Sequence, residues 1–171
     1  MSRLYGSDPE FVLAGGGNSS YKTREHLYVK ASGAALSGIE AGGFVKLRRD
    51  LLEAMWEKQY SADPKQREAQ VLQDLLASRV EGERAGRPSV EAQLHDLLGP
   101  PFVMHTHPAV VNALTCSRQG RRAARDILGD EALWIPVVNP GYVLARTTRE
   151  ALRSHRRRHG AEPKVLLLEN H

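Results

Sequence analysis

The residues most able to do chemistry in this chain are a histidine pair, His105-Thr106-His107, and a lone carboxylate, Glu91. In an extended strand, residues two apart face the same side, so both imidazoles point into one space. Neutral imidazole is the commonest protein ligand for zinc and similar divalent ions. A catalytic zinc takes three protein ligands and keeps one position open, so the pair needs a third, and His171, after the apolar run Val165–Leu168, is the candidate. The pair is equally compatible with two polar residues closing a strand. Glu91 falls in the first turn of a helix opening at Ser89, where the helix dipole favours an acid whatever its role. Beside a metal it would be a general acid/base, its pKa raised by burial with few partners and lowered by the cation. His95, one turn on, reaches Glu91 along the helix and reads as a structural neighbour.

Three small-residue turns could hold an anion. Gly15-Gly16-Gly17-Asn18-Ser19-Ser20 follows an apolar stretch, and its glycines permit positive φ and close backbone approach. Free amide N–H groups in such a turn can surround an anion, with Gly17 and Asn18 as donors. Lys30-Ala31-Ser32-Gly33 offers another hydroxyl and amide. Ser89 is a natural N-cap, and a helix start attracts phosphate. Convergence of the three on one phosphate is a specific expectation; the bland alternative is three ordinary turns. The dinucleotide fingerprint fails because position 20 is Ser, and there is no P-loop Gly-Lys-Ser.

Strand-like runs that could position these residues are Phe11–Ala14, Leu27–Lys30, Phe44–Leu47, Phe102–His105, Leu133–Val138 and Lys164–Leu168. Helical periodicity marks Arg48–Tyr60 and Pro64–Ser78, the latter with Asp63 as cap and Pro64 as first helical residue. Further helices are expected over Val90–Leu98, Pro108–Thr115, Arg121–Leu128 and Thr148–Arg158. The polar stretch between Arg79 and Pro88 reads as a loop within one domain. Strands and helices mixed in 171 residues point to an α/β layered fold.

The lone Cys116 excludes an intrachain disulfide framework. No apolar run approaches the ~20 residues of a membrane span, and Met1–Asp8 lacks a signal-peptide layout. The expectation is a soluble, cytoplasmic protein with no membrane partner. The net charge of +4 concentrates in Arg146–His159, which reads as a solvated helix face. A nucleic-acid surface would want interleaved aromatic rings, and that stretch has only its imidazoles.

Taken in order, Gly-Gly-Gly-Asn18-Ser-Ser, Lys30-Ala-Ser32-Gly33, Pro88-Ser89-Val-Glu91, His105-Thr-His107-Pro and Asn170-His171 resemble the class II aldolase/adducin family from about Phe11 onward. The likeness is to sugar-phosphate aldolases of the rhamnulose- and fuculose-1-phosphate type. Leu27–Gly33 and His105–Ser117 look especially like the aldolase half of bifunctional aldolase/dehydrogenase chains. The resemblance implies a three-layer α/β/α fold with a mainly antiparallel central sheet, often in homo-tetramers. It implies a zinc-type ion on His105, His107 and His171, Glu91 as acid/base, and phosphate held by Asn18, Ser32, Gly33 and Ser89.

The implied reaction is reversible aldol cleavage of a ketose phosphate through a metal-stabilised enediolate. Tyr142 could protonate the aldehyde oxygen. Val90 replaces a hydroxyl residue common beside Ser89 in the family, which implies a weaker phosphate grip or another substrate. Family members continue past the third histidine, so 1–171 is expected to be one domain truncated at its C-terminus. An epimerase or decarboxylase sharing the metal chemistry, and a non-catalytic adducin-like interaction domain, are the competing readings.

Overall fold

The structure is a computed structural model that describes residues 1–80, 82 and 86–171. In chain order the elements are α1 (Ser2–Gly6), β1 (Asn18–Lys22), β2 (His26–Lys30), β3 (Phe44–Arg48), α2 (Arg49–Ala54), α3 (Pro64–Ala77), α4 (Ala92–Leu97), β4 (Phe102–His105), α5 (Ala109–Thr115), α6 (Gly120–Leu128), β5 (Ala132–Ile135), α7 (Tyr142–His159) and β6 (Val165–Leu168). Four strands form an antiparallel sheet ordered β3-β2-β1-β4. Its register sets Leu27 against Leu47, Ser20 against Val29 and Asn18 against His105. Strands β5 and β6 form a separate parallel pair. The α/β class with an antiparallel main sheet is the one expected.

Period-two alternation puts Leu27 and Val29 of β2, and Val45 and Leu47 of β3, on one inner face, each without solvent exposure. They pack with Leu52, Met55, Val71, Leu75, Ala92 and Tyr142, and each fully buried aliphatic side chain contributes about 2 kcal/mol. Leu94, Leu133, Ile135, Leu144, Ala145 and Leu152 form a second core around β5 and α7. Helix α4 joins the two, giving Ala92 to one and Leu94 to the other. It thereby holds Glu91, at its start, where both cores meet.

Helix α3 begins as expected: Pro64 is its first residue, and Asp63 Oδ1 accepts from the Gln66 N–H at 2.9 Å. Other elements differ. Phe11–Ala14 is a turn, and the strand begins at Asn18. Asn18, Ser20 and Lys22 alternate inward and are buried, so the inward face of β1 is polar and its outward Tyr21 exposed, the reverse of the usual pattern. The first helix after β3 tightens into a 3-10 turn at Met55–Glu57, short of Tyr60. Strand β5 stops at Ile135 because Pro136 has no N–H to pair. Helix α7 starts at Tyr142, six residues before the expected Thr148; Leu144, Ala145, Thr148, Leu152 and His155 are its buried stripe. The loop expected between Arg79 and Pro88 falls in part on residues 81 and 83–85, outside the described residues.

The basic stretch of α7 is a solvated face, as expected. Arg146 lies 3.9 Å from Glu150, Arg156 pairs with Glu162, and Arg149 stacks over the Trp56 ring at 4.6 Å. Tyr142, the candidate for protonating an aldehyde oxygen, packs in the interior. It is buried in the first core, edge-on to Tyr60 at 4.8 Å. Among the described residues no helix is long and apolar enough to cross a membrane.

Candidate metal centre and anion turns

Three histidines from two remote segments meet. His105 ends β4, His107 lies two residues beyond it, and His171 follows β6. His107 is outside the strand, but its N–H donates to Phe11 O at 2.9 Å, which fixes it against the N-terminal turn. The glycine turn packs on the same pair. A Cβ on Gly16 would come within 3.3 Å of His107 Nδ1, and one on Gly17 within 2.9 Å of His105 O. Gly17 also has φ +74°, so glycine is required there by conformation and by close approach.

The parallel pair holds the third histidine. The Glu169 N–H donates to Ile135 O, the Asn170 N–H to Thr115 O, and the Trp134 indole N–H reaches Glu169 Oε2 at 3.0 Å. The His105 ring centre is 5.0 Å from that of His171, and the His107 ring centre 5.4 Å. One nitrogen from each of the three lies within 4.8 Å of the others.

The donor geometry fits a divalent ion. His105 Nδ1 is 3.2 Å from Glu91 Oε2. An ionised carboxylate only accepts, so Nδ1 carries the proton and Nε2 is left with a bare lone pair. That lone pair faces His107 Nε2 at 3.1 Å. Tetrahedral bonds of about 2.0–2.1 Å from zinc to imidazole place ligand nitrogens about 3.3 Å apart. A carboxylate on the far nitrogen of a ligating histidine is the usual device for fixing its tautomer.

Glu91 is drawn in from several sides. It stands at the N-cap of α4 rather than inside the helix. Oε2 accepts from Asn18 Nδ2 at 3.1 Å, and Oε1 is 3.6 Å from His171 Nε2. Burial alone would raise its pKa, but hydrogen bonds from His105 and Asn18, with the His171 ring close by, more than offset this and hold the carboxyl well below the usual carboxylate range. Of the two directions open from the sequence, the partners thus favour the ionised form. His95 is deeply buried, its Nδ1 within 2.8 Å of Ser20 Oγ; burial lowers its pKa to about 3. It also groups with Glu91 and His105 as a second set of ligating atoms, which sequence reasoning left as a neighbour; the Glu91–His95 spacing of four was the available signal.

The turns converge in part. Asn18 Nδ2 also donates to Ser89 Oγ at 2.7 Å, so its amide is committed to positioning Ser89 and Glu91. Ala31 bridges Pro88, and the Ser32 N–H donates to Arg87 O, which brings the second turn beside Ser89. Ser32 and Gly33 are exposed, and Gly33 has φ +85° with open space where a Cβ would stand. Gly17, by contrast, is packed between His105 and Leu36. Beyond the histidines, a cleft of about 420 Å³ runs between β4 and β6, lined by Met104, Val111, Thr115, Leu166 and Leu168.

The whole chain, residues 1–171, matches the family model for the class II aldolase and adducin N-terminal domain, and the chain belongs to that family. It is 31% identical to the solved N-terminal class II aldolase domain of a conserved protein from Thermoplasma acidophilum, covering 99% of this chain and 77% of that one with a TM-score of 0.79. The l-fuculose-1-phosphate aldolase of Thermus thermophilus shares the fold at 20% identity, 99% and 74% coverage and a TM-score of 0.55. A relative in Bacillus subtilis (strain 168), YuxG, bears the name uncharacterized oxidoreductase. It is 30% identical across 99% of this chain, which spans 24% of that protein's length.

Proposed function

We propose that this domain is a divalent-metal lyase that cleaves a phosphorylated ketose by a reversible aldol reaction. The observation that carries the reading is the meeting of His105, His107 and His171 within 4.8 Å, with Glu91 hydrogen-bonded to the first of them. The three imidazoles would hold the ion, which when bound supplies Lewis-acid polarisation of a carbonyl. Glu91, ionised and fixed by Asn18, accepts the proton from the substrate hydroxyl or carbon placed against it and returns it in the reverse direction. Ser32, Gly33 and Ser89 take the phosphate, with Asn18 and Gly17 shaping their surroundings, and so set which proton meets Glu91. The proposal extends, on the resemblance alone, to one domain over 1–171, zinc as the ion, a homo-tetramer and a cytoplasmic location.

The test is retro-aldol cleavage of a panel of ketose 1-phosphates by zinc-loaded protein, with aldehyde release measured. Glu91→Gln is expected to lower kcat by about 10²–10⁴-fold, the range for loss of a general base, measured with zinc at concentrations that saturate the variant. Equal turnover in wild type and variant removes Glu91 as the base. Epimerised or decarboxylated product in place of aldehyde reassigns the reaction within the family.

A further inference from the structure

Several arginines of α6 and α7 have acidic partners: Arg122 lies 3.8 Å from Asp126, and Arg156 pairs with Glu162. Arg121, Arg125 and Arg158 have no carboxylate within ion-pair distance among the described residues, yet they converge. All three line one hollow of about 130 Å³ between α6, α7 and β5. The one acid in that lining is Asp130, which faces His159 Nδ1 at 3.2 Å. The buried member is His155, only 4% exposed. Its ring lies 4.5 Å from that of His159 and makes no hydrogen bond among the described residues. Its pKa is lowered, by burial and then by the charges of His159 and Arg158, with Asp130 opposing.

Stability alone does not account for this convergence. A helix C-terminus favours cations, which covers Arg125 and Arg158 in the last turns of α6 and α7. Arg121 is in the first turn of α6, where the same dipole opposes a cation. It also stands four residues from Arg125, a like-charge spacing that destabilises a helix. A buried imidazole without a hydrogen-bond partner is a further cost. A small anion with several acceptor oxygens would offset all three. The hollow is below the roughly 300 Å³ at which sites for drug-sized molecules begin. With the histidines neutral, three guanidiniums against one carboxylate leave an excess of two positive charges, which matches a phosphate dianion.

We propose that this hollow is a site for a compact oxyanion, either inorganic phosphate or the phosphate group of a small molecule. Arg121, Arg125 and Arg158 supply the charge, their planar forks suiting paired oxygens. A His155 ring N–H donates from the buried side. The site is separate from the anion turns, since none of Ser32, Gly33 and Ser89 lines it. It stands or falls independently of the lyase reading.

The test is a titration of the full chain with inorganic phosphate at constant ionic strength, read on assigned histidine ring resonances. The His155 and His159 signals are expected to shift saturably, and chloride at the same ionic strength to leave them in place. Arg121→Gln and Arg158→Gln alter exposed positions, so both are expected to fold. Each is expected to weaken the binding about tenfold or more, the scale of one hydrogen bond to a charged group. Arg122→Gln removes the same charge from the same helix but lies outside the hollow, and its affinity is expected to stay within about twofold of wild type. Equal weakening in Arg121→Gln and Arg122→Gln, or a His155 signal that phosphate leaves unmoved, overturns the site. Glycerol phosphate binding more tightly than the free ion supports the site with a small molecule's phosphate group as its ligand; the reverse order supports it with the inorganic ion. A short single-stranded DNA that displaces phosphate, with tighter and steeply salt-dependent binding, overturns the small-ligand assignment.

Discussion

The antiparallel sheet and the parallel pair contribute to the same site in different ways. The sheet side is tied by direct bonds: Asn18 of β1 holds Ser89 and Glu91, Glu91 holds His105, and β1 pairs with β4 through Asn18 and His105. The pair side delivers one of the three imidazoles, His171, through a short relay of Ile135, Thr115, Trp134 and Glu169. One half of the site is preorganised by the fold around it. The other depends on how β6 docks.

Removing a proposed ligand from each side tests this most severely. His105→Ala and His171→Ala should each cost about 10²-fold or more in metal affinity, as expected when three ligands become two. They should part company without metal. His105→Ala takes a hydrogen bond from Glu91 and lowers the unfolding midpoint, whereas His171→Ala removes only a 3.6 Å contact with Glu91, leaves the Asn18–Glu91–His105 chain intact and lowers the midpoint much less. Equal loss of metal-free stability in both breaks the comparison.

The sheet side also has a pH signature. Burial lowers the His95 pKa from 6.5 to about 3. Between those values the unfolded chain binds the proton and the folded chain does not, so stability falls as pH falls below 6.5. From pH 7 to 5 the loss from this group is about 2 kcal/mol. Urea unfolding at both pH values should show a smaller difference in His95→Gln than in wild type. An unchanged difference would assign the acid sensitivity elsewhere.

The smallest effect belongs to the pair side. Trp134→Phe deletes the indole hydrogen bond to Glu169, worth about 1 kcal/mol, and should weaken metal binding about fivefold with no shift in global unfolding. A variant with wild-type metal affinity would show that β6 needs no such anchor.

Much of this site is legible in the chain because its chemistry is local. The His105-Thr-His107 spacing, the position of Glu91 after Ser89 and the Asp63-Pro64 cap each depend on a few neighbouring residues. Strand β1 was not legible: Asn18, Ser20 and Lys22 are buried through partners before, on and beyond α4, so tertiary hydrogen bonds replace the apolar alternation that marks a strand. Phe11–Ala14 misled in the opposite way, since Val12 is buried from a turn. The meeting of His171 with the pair spans more than sixty residues, and the sequence offered it only as a candidate, from its place after an apolar run and from the family resemblance.

No backbone ladder crosses from β4 to β6; the two sheets approach each other at the histidines and across a cleft. An ion gripped by His105, His107 and His171 would therefore act as a clasp between two separately hydrogen-bonded bodies. Its binding strength becomes a gauge of how well those bodies close: any substitution that spreads them, however far from an imidazole, is felt first as a faster release of the ion.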